Sequence, residues 1–151
     1  MSAFFIAILF TTSNPQDEIA MTLNEIMSSS LITVEMDDSL KAVKEIFDNA
    51  SIHHILVVEQ QSLLGIISDR DLLKSITPSL GTVAETNHDI SILNKKAHQI
   101  MSRKLITLEP DASIKNAIDI FNQHDISCIP IIDKEKKAIG IVSWRDILKT
   151  L

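Results

Sequence analysis

The sequence predicts an α/β (α+β) fold built from two β-α-β-β-α repeats packed about a pseudo-twofold axis. Three observations predict it. The chain carries one long phrase twice: Ile26–Glu59 reads IMSSSLITVEMDDSLKAVKEIFDNASIHHILVVE, and Ile100–Asp133 reads IMSRKLITLEPDASIKNAIDIFNQHDISCIPIID. Each copy then closes on a similar segment, GIISDRDLLKSI at Gly65–Ile76 and GIVSWRDILKTL at Gly140–Leu151. Inside each copy the apolar pattern switches between short runs and helical spacing in the same order. The copies are offset by about 74 residues up to Glu59 and about 75 afterwards, so the second hairpin gains one residue. Self-similarity at fixed spacing marks a supersecondary unit that cannot bury its apolar face alone. Two units in one chain imply an intramolecular pair with a cleft along its axis, and function is expected where the copies meet.

The elements follow in order. Leu31–Val34 and Leu105–Leu108 are short β-rich runs. Ser39 and Ser113 stand where helix N-caps belong, after acidic residues. Leu40, Val43, Ile46, Phe47 and Ala50 then recur at helical spacing, as do Ile114, Ala117, Ile118 and Phe121. His54–Val58 and Cys128–Ile132 are apolar runs too short for helices. Each is followed by a polar turn and a second run, Leu64–Ile67 or Ala138–Val142, which makes a hairpin. A last amphipathic helix starts at Ser68 or Ser143. Ile92–Met101 is expected to be a short helix leading into the second copy, and Leu23–Met27 its counterpart. The chain divides into an apolar N-terminal segment (1–22), a first repeat (23–76), a connector (77–94) containing Pro78 and Gly81, and a second repeat (95–151).

Composition excludes several functions. The 151 residues suit one compact domain or two packed halves. Aromatics are 4%, with one Trp and no Tyr, which argues against base-stacking or carbohydrate surfaces. Net charge is -6 with no basic stripe, so nucleic-acid binding is not expected. A single cysteine, Cys128, excludes an internal disulfide and suits a reducing cytoplasm. The apolar run 3–10 is far short of the roughly 20 residues of a membrane span, and no membrane role is expected. No Lys or Arg precedes it and no A-x-A site follows, so it reads as a packed segment rather than an export signal. Met21, just before the first repeat, is an alternative start. His53 and His54 point to opposite faces of a strand, and the other histidines show no ligand spacing with Cys128, so no metal site is expected. No nucleophile elbow, Walker loop or metalloprotease signature occurs, and the chain is read as non-catalytic.

The shared end-phrase, Gly-apolar-apolar-Ser-x-Arg-Asp, is the candidate chemistry. It places Gly65, Ser68, Arg70 and Asp71 in one copy and Gly140, Ser143, Arg145 and Asp146 in the other. The glycine admits a ligand or a facing backbone. The serine ends a strand at a helix start, beside free N–H groups that favour anions. An Asp three residues on can accept from the vicinal hydroxyls of a ribose, and Arg offers a donor fork to phosphate. The same Ser-x-x-Asp spacing is also a capping box, which stabilises a helix by about 1 kcal/mol and needs no ligand. Its repetition together with Gly and Arg favours the ligand reading.

On these phrases (LITVEMDDS/LITLEPDAS, HHILVVE/SCIPIID, GIISDRD/GIVSWRD) the chain resembles a tandem cystathionine-β-synthase-type (CBS) domain pair of the stand-alone bacterial type, from about Leu23 to Leu151. The resemblance implies a regulatory module that binds adenosine-containing ligands between the repeats. It carries the ribose-binding role to Asp71 and Asp146 and the phosphate-contacting role to Ser68 and Ser143. It places the adenine pocket at Ile32, Thr33, Ile106 and Thr107, at His54 to Leu56, and at Cys128, Ile129 and Pro130.

The copies also differ. Arg103 and Lys104 replace Ser29 and Ser30, Pro110 and Pro130 replace Met36 and Leu56, and Trp144 replaces Asp69. Extra cations favour phosphate and an extra carboxylate disfavours it, so the second copy is expected to hold the tighter phosphate-bearing site. The expected function is a cytoplasmic sensor of AMP, ADP or ATP with no obligatory cofactor, acting as a homodimer on an unidentified effector protein. The alternative is a ligand-independent interaction module whose motifs only cap helices.

Overall fold

Residues 21–151 are described by the computed structural model, so the apolar run 3–10 lies outside the described residues. The elements are α1 (Leu23–Ile26), β1 (Thr33–Val34), α2 (Leu40–Asn49), β2 (His54–Glu59), β3 (Ser62–Ser68), α3 (Asp69–Ser75) and α4 (Asn87–Ile92). They continue with α5 (Ala97–Ile100), α6 (Ile114–Gln123), β4 (Cys128–Ile132), β5 (Ala138–Ser143) and α7 (Trp144–Leu148).

Serine caps start the long helices where the sequence places them. Ser39 Oγ accepts from the Ala42 N–H at 3.2 Å, and Ser113 Oγ from the Asn116 N–H at 3.2 Å. One face of each helix then enters a core. In the first half Leu40, Val43, Ile55, Val57, Ile67 and Leu72 gather; in the second, Ile114, Ala117, Ile129, Ile131, Val142 and Ile147. Strands alternate inward and outward. Ile55 and Val57 therefore face their helical core, while His54 and Leu56 face away from it. Ile129 and Ile131 oppose Cys128 and Pro130 in the same manner. Leu56, Cys128 and Pro130 are nonetheless buried, so this second face is the seam between the halves.

The first sheet has the order β1-β2-β3, with β1 parallel to β2 and β2 antiparallel to β3; the second pairs β4 with β5. The β2–β3 turn is two residues, Gln60 and Gln61, both with positive φ (49° and 70°), which matches the twist of a tight hairpin. The longer β4–β5 turn is held by Asp133 Oδ1, which accepts from the Glu135 and Lys137 N–H groups at 2.9 Å each.

The short leading helices are exchanged between halves. Leu23 of α1 is fully buried in the second core, with Ile26 and Met27 packed beside it. Ala97 and Met101, at the ends of α5, are buried in the first core. The Leu23 N–H donates to the Ala112 carbonyl and the Ala97 N–H to the Asp38 carbonyl, at 2.9 and 2.8 Å. After each helix the chain adds an edge bridge: Ser28 pairs with Ile141, and Ser102 with Ile66.

Two sequence expectations need correction. The first strand of the first copy is only Thr33–Val34, and its counterpart is a single parallel bridge at Leu108. Leu108 donates to the Pro130 carbonyl (3.2 Å) and accepts from the Ile132 N–H (3.0 Å). The next rung would need an N–H from residue 130, and proline has none. The helix expected over Ile92–Met101 is broken, because the Leu93 and Lys95 carbonyls are taken by the Lys41 and Leu40 N–H groups at the start of α2 (3.0 and 2.8 Å). The connector contains α4, capped by Thr86, whose Oγ1 accepts from the Asp89 N–H at 3.2 Å.

Candidate functional site

Strand β3 ends at Ser68, which caps α3, and β5 ends at Ser143, which caps α7. Each end-phrase closes a capping box. Asp71 Oδ2 accepts from the Ser68 N–H at 2.8 Å and from its Oγ–H at 2.9 Å, while the Asp71 N–H donates to Ser68 Oγ at 3.1 Å. In the second copy the corresponding distances are 2.8, 2.8 and 3.4 Å. A capping box engages one carboxylate oxygen only. Asp146 Oδ1 faces Lys149 Nζ at 3.6 Å. Asp71 Oδ1 accepts no hydrogen bond among the described residues.

The glycines answer a question that spacing left open. Chain, not ligand, approaches them. A Cβ on Gly65 would lie 2.8 Å from Met101 Cγ, and one on Gly140 would lie 2.9 Å from Met27 Cγ. Both methionines belong to the exchanged segments. The glycines thus make room for the partner half and let the adjoining bridges form.

Two histidines flank the first end-phrase. His53 Nδ1 lies 2.9 Å from Asp69 Oδ2, and this hydrogen bond holds the Asp69 carboxyl below its ordinary range. His54 turns to the other face, where Nε2 lies 3.1 Å from Ser127 Oγ of the second repeat. Burial lowers the His54 pKa; Asp69 and Asp71 oppose that effect and His53 adds to it. His54 is therefore at the seam, and its strand partner Ser68 carries the box with Asp71 next to it.

The remaining candidates distribute unevenly. Thr33 pairs with Leu56, and Ile32 and Thr33 are exposed. Ile106 and Thr107 are half-buried before the Leu108 bridge, beside Pro130. Cys128 is buried, and burial pushes its thiol up to about 12. Ile129 faces the helical core rather than the seam. Arg70 and Arg145 are exposed, and the Arg145 guanidinium stands 5.6 Å from the Trp144 ring centroid. Arg103 and Lys104 follow Ser102, whose antiparallel bridge to Ile66 sends the chain away from Ser68. Among the described residues no hydrogen bond or ion pair joins Arg103 or Lys104 to Ser143, Arg145 or Asp146. A hollow of about 350 Å³ lies beside Phe47, Ala50, Ser51, Ile52 and His53, and touches the end-phrase only at Asp69.

Sequence reasoning missed two polar groupings, one at the seam and one in the connector. Ser127 meets His54 through a contact 73 residues apart in the chain, which no local pattern signals. Asp89 gathers Thr77, Ser79 and Thr86 around one buried carboxylate, at 2.6 to 2.9 Å. Its signal was present, since Thr86-x-x-Asp89 repeats the spacing of the end-phrases. Among the described residues no group of three or more His, Cys, Asp or Glu side chains is placed to hold a metal.

The CBS domain profile matches residues 23–78 and 97–151. The chain belongs to the CBS-domain family. As a CBS pair it is 31% identical over 133 residues to a CBS domain-containing protein of Dictyostelium discoideum, covering 85% of this chain and 90% of that one. It is 32% identical over 130 residues to a homoserine O-acetyltransferase of Methanococcus vannielii, covering 85% of this chain and 24% of the enzyme. The chain spans about a quarter of the length of the first curated relatives it matches. Among solved structures, the CBS domain pair of protein MJ0100, in complex with 5′-methylthioadenosine and S-adenosyl-L-methionine, has a TM-score of 0.70 at 24% identity. It covers 86% of this chain and 98% of that one. The β-α-β-β-α repeat and its pairing are thus those of a CBS pair.

Proposed function

We propose that this CBS pair is a regulatory, non-catalytic sensor that takes adenosine-containing ligands such as AMP, ADP or ATP between its repeats. The observation that carries the reading is the first end-phrase. Asp71 holds Ser68 with one oxygen and keeps the other open, beside His54 at the seam. A carboxylate oxygen free to accept, near an inter-repeat face, suits a ribose diol. Support also comes from the adenosine ligands in the MJ0100 complex, whose fold this chain shares. The mechanism is linkage: a ligand touching both repeats shifts their relative arrangement by its differential affinity for the two states.

The ligand roles assigned to Ser68, Arg70, Asp71, Ser143, Arg145 and Asp146, and to the pocket residues on β1, β2 and β4, belong to this proposal. So does the greater phosphate affinity of the second half-site: Arg70 and Lys74 match Arg145 and Lys149, but the first end-phrase carries the extra carboxylate of Asp69 where the second has Trp144. We also assign the pair to the cytoplasm, acting on an effector protein. Cys128 is its single thiol, and no described helix is long and apolar enough to cross a membrane. Homodimerisation is supported by the exposed apolar residues of α3 and α7, Leu73 (66% exposed), Trp144 (46%) and Leu148 (53%). Gel filtration at micromolar concentration that returns the mass of one chain removes the dimer.

A second reading has its own observation. Both end-phrases are complete capping boxes, which a ligand-independent interaction module would also contain. Thermal unfolding against a panel of adenosine ligands separates the two. A ligand at about 100 times its dissociation constant stabilises the folded state by about 2.7 kcal/mol, a shift of several degrees for a chain this size. A shift that disappears in Asp71→Asn or Asp146→Asn establishes the sensor. No shift with any ligand leaves the interaction module.

A further inference from the structure

We infer that the two half-sites are mechanically coupled through the exchanged segments, so that a change at one alters ligand affinity at the other. The inference rests on the adenosine-sensor reading and adds its regulation. Each half-site is built on an arm rooted in the other repeat. The arm of the second half-site starts at Ser102, whose N–H donates to the Ile66 carbonyl at 2.8 Å and whose carbonyl accepts from the Ile66 N–H at 3.1 Å. Ile66 lies two residues before Ser68, on the same strand. A few residues beyond Ser102 the same segment supplies Ile106 and Thr107 and is fixed again at Leu108, between the Pro130 carbonyl and the Ile132 N–H.

The twin arm repeats this. It is rooted where Ser28 and Ile141 exchange both backbone bonds at 2.9 and 3.0 Å, two residues before Ser143. It then runs to Ile32 and Thr33 in the first half-site. Each root carries a bolt, Met101 against Gly65 or Met27 against Gly140. Between Ser102 and Leu108 the arm is short and hydrogen-bonded at both ends, which favours passing a displacement of one end to the other. A ligand that pulls on Ser68 and β3 therefore shifts the root of the arm serving Ser143 and Asp146. By thermodynamic linkage the effect is reciprocal. The physical warrant is the paired backbone bonds and the methionine contact at each root, followed by the second anchor at Leu108, not spatial proximity alone.

The test reads one half-site while disturbing the root of its arm. In an Asp71→Asn background, AMP binding at the second half-site is measured by calorimetry with and without Gly65→Ala, which crowds Met101. The expected result is a loss of affinity of about fivefold or more, recovered to within about twofold by Gly65→Ala/Met101→Ala, which restores the room. Unchanged affinity in Gly65→Ala overturns the coupling. If Gly65→Ala does not fold, Met101→Ala alone loosens the same root and is read against the same outcomes. Amide exchange in the ligand-free chain gives an independent readout: Ile132, bonded to the Leu108 carbonyl, is expected to exchange faster in either variant, and no change counts against the coupling. Wild-type protein that binds neither AMP nor ATP overturns the sensor and this inference together, whereas binding without transmission overturns this inference alone.

Discussion

Met101 packs across the face of Gly65, leaving no room for a side chain, and Met27 does the same to Gly140. These two contacts show what holds the pair together: each methionine arrives from the segment that leads into the other repeat. Gly65→Ala and Gly140→Ala are each expected to destabilise the fold by about 1–3 kcal/mol, the usual cost of overpacking a filled site. Gly81 is the control. It has φ of +77° with nothing within 4 Å of an added Cβ, so Gly81→Ala carries backbone strain without a clash. Its expected cost is about 1 kcal/mol. Urea unfolding midpoints of the three variants check the ranking, and a Gly81→Ala loss larger than the other two contradicts it.

Asp89 fixes the connector, and pH should expose it. Its carboxylate accepts from Thr77, Ser79 and Thr86, and these hydrogen bonds hold its pKa well below the ordinary value of 3.8. A depressed folded-state pKa contributes stability that is complete above the unfolded value and lost as pH falls through the folded one. Neutral pH therefore retains the whole contribution, and the loss begins only below about pH 4. Asp89→Asn is expected to speed amide exchange over residues 77–86 at neutral pH and to flatten the acid limb of the stability profile. Exchange unchanged from wild type would refute the assignment.

His54 acts in the same direction but in a higher pH window. Burial at the seam lowers its pKa from 6.5, with Asp69 and Asp71 opposing and His53 assisting. Here the unfolded chain takes up the proton first, so stability is complete above pH 6.5 and declines as pH drops below it. Replacing His54 with Gln removes that decline and keeps a hydrogen-bonding group for Ser127. Thermal unfolding at pH 5.5 and 7.5 compares the two proteins, and an equal pH dependence in both would exclude His54 as its source.

What the sequence made legible follows from range. The Ser39 and Ser113 caps and the hairpins are fixed by neighbours within a few residues, and local pattern suffices to read them. The Pro130 effect was also in the sequence, but its consequence required the parallel register, which pairs Leu108 with Ile131. The exchange of α1 and α5 was hidden, because the apolar spacing around Leu23 and Ala97 names no destination. The His54–Ser127 contact was hidden for the same reason. At the end-phrases the residues were legible and their division of labour was not: spacing cannot tell a carboxylate oxygen spent on a cap from one left open.

That division can be tested inside the protein's own vocabulary. At the start of α6, Asn116 Oδ1 accepts from the Ser113 N–H at 3.0 Å and from its Oγ–H at 2.7 Å, so Asn serves as the fourth residue of a Ser-x-x-Asn cap. Asp71→Asn and Asp146→Asn should reproduce that arrangement, keeping the cap while removing the charge and one acceptor. Asp71→Ala and Asp146→Ala should lose the cap as well, at about 1 kcal/mol each. If the carboxylates bind a ribose diol, Asn and Ala abolish ligand binding alike and differ only in stability without ligand. If the motifs are caps alone, the Asn variants match wild type in both measurements. Unfolding free energies of the four variants, taken with and without AMP, therefore separate the cap from the site.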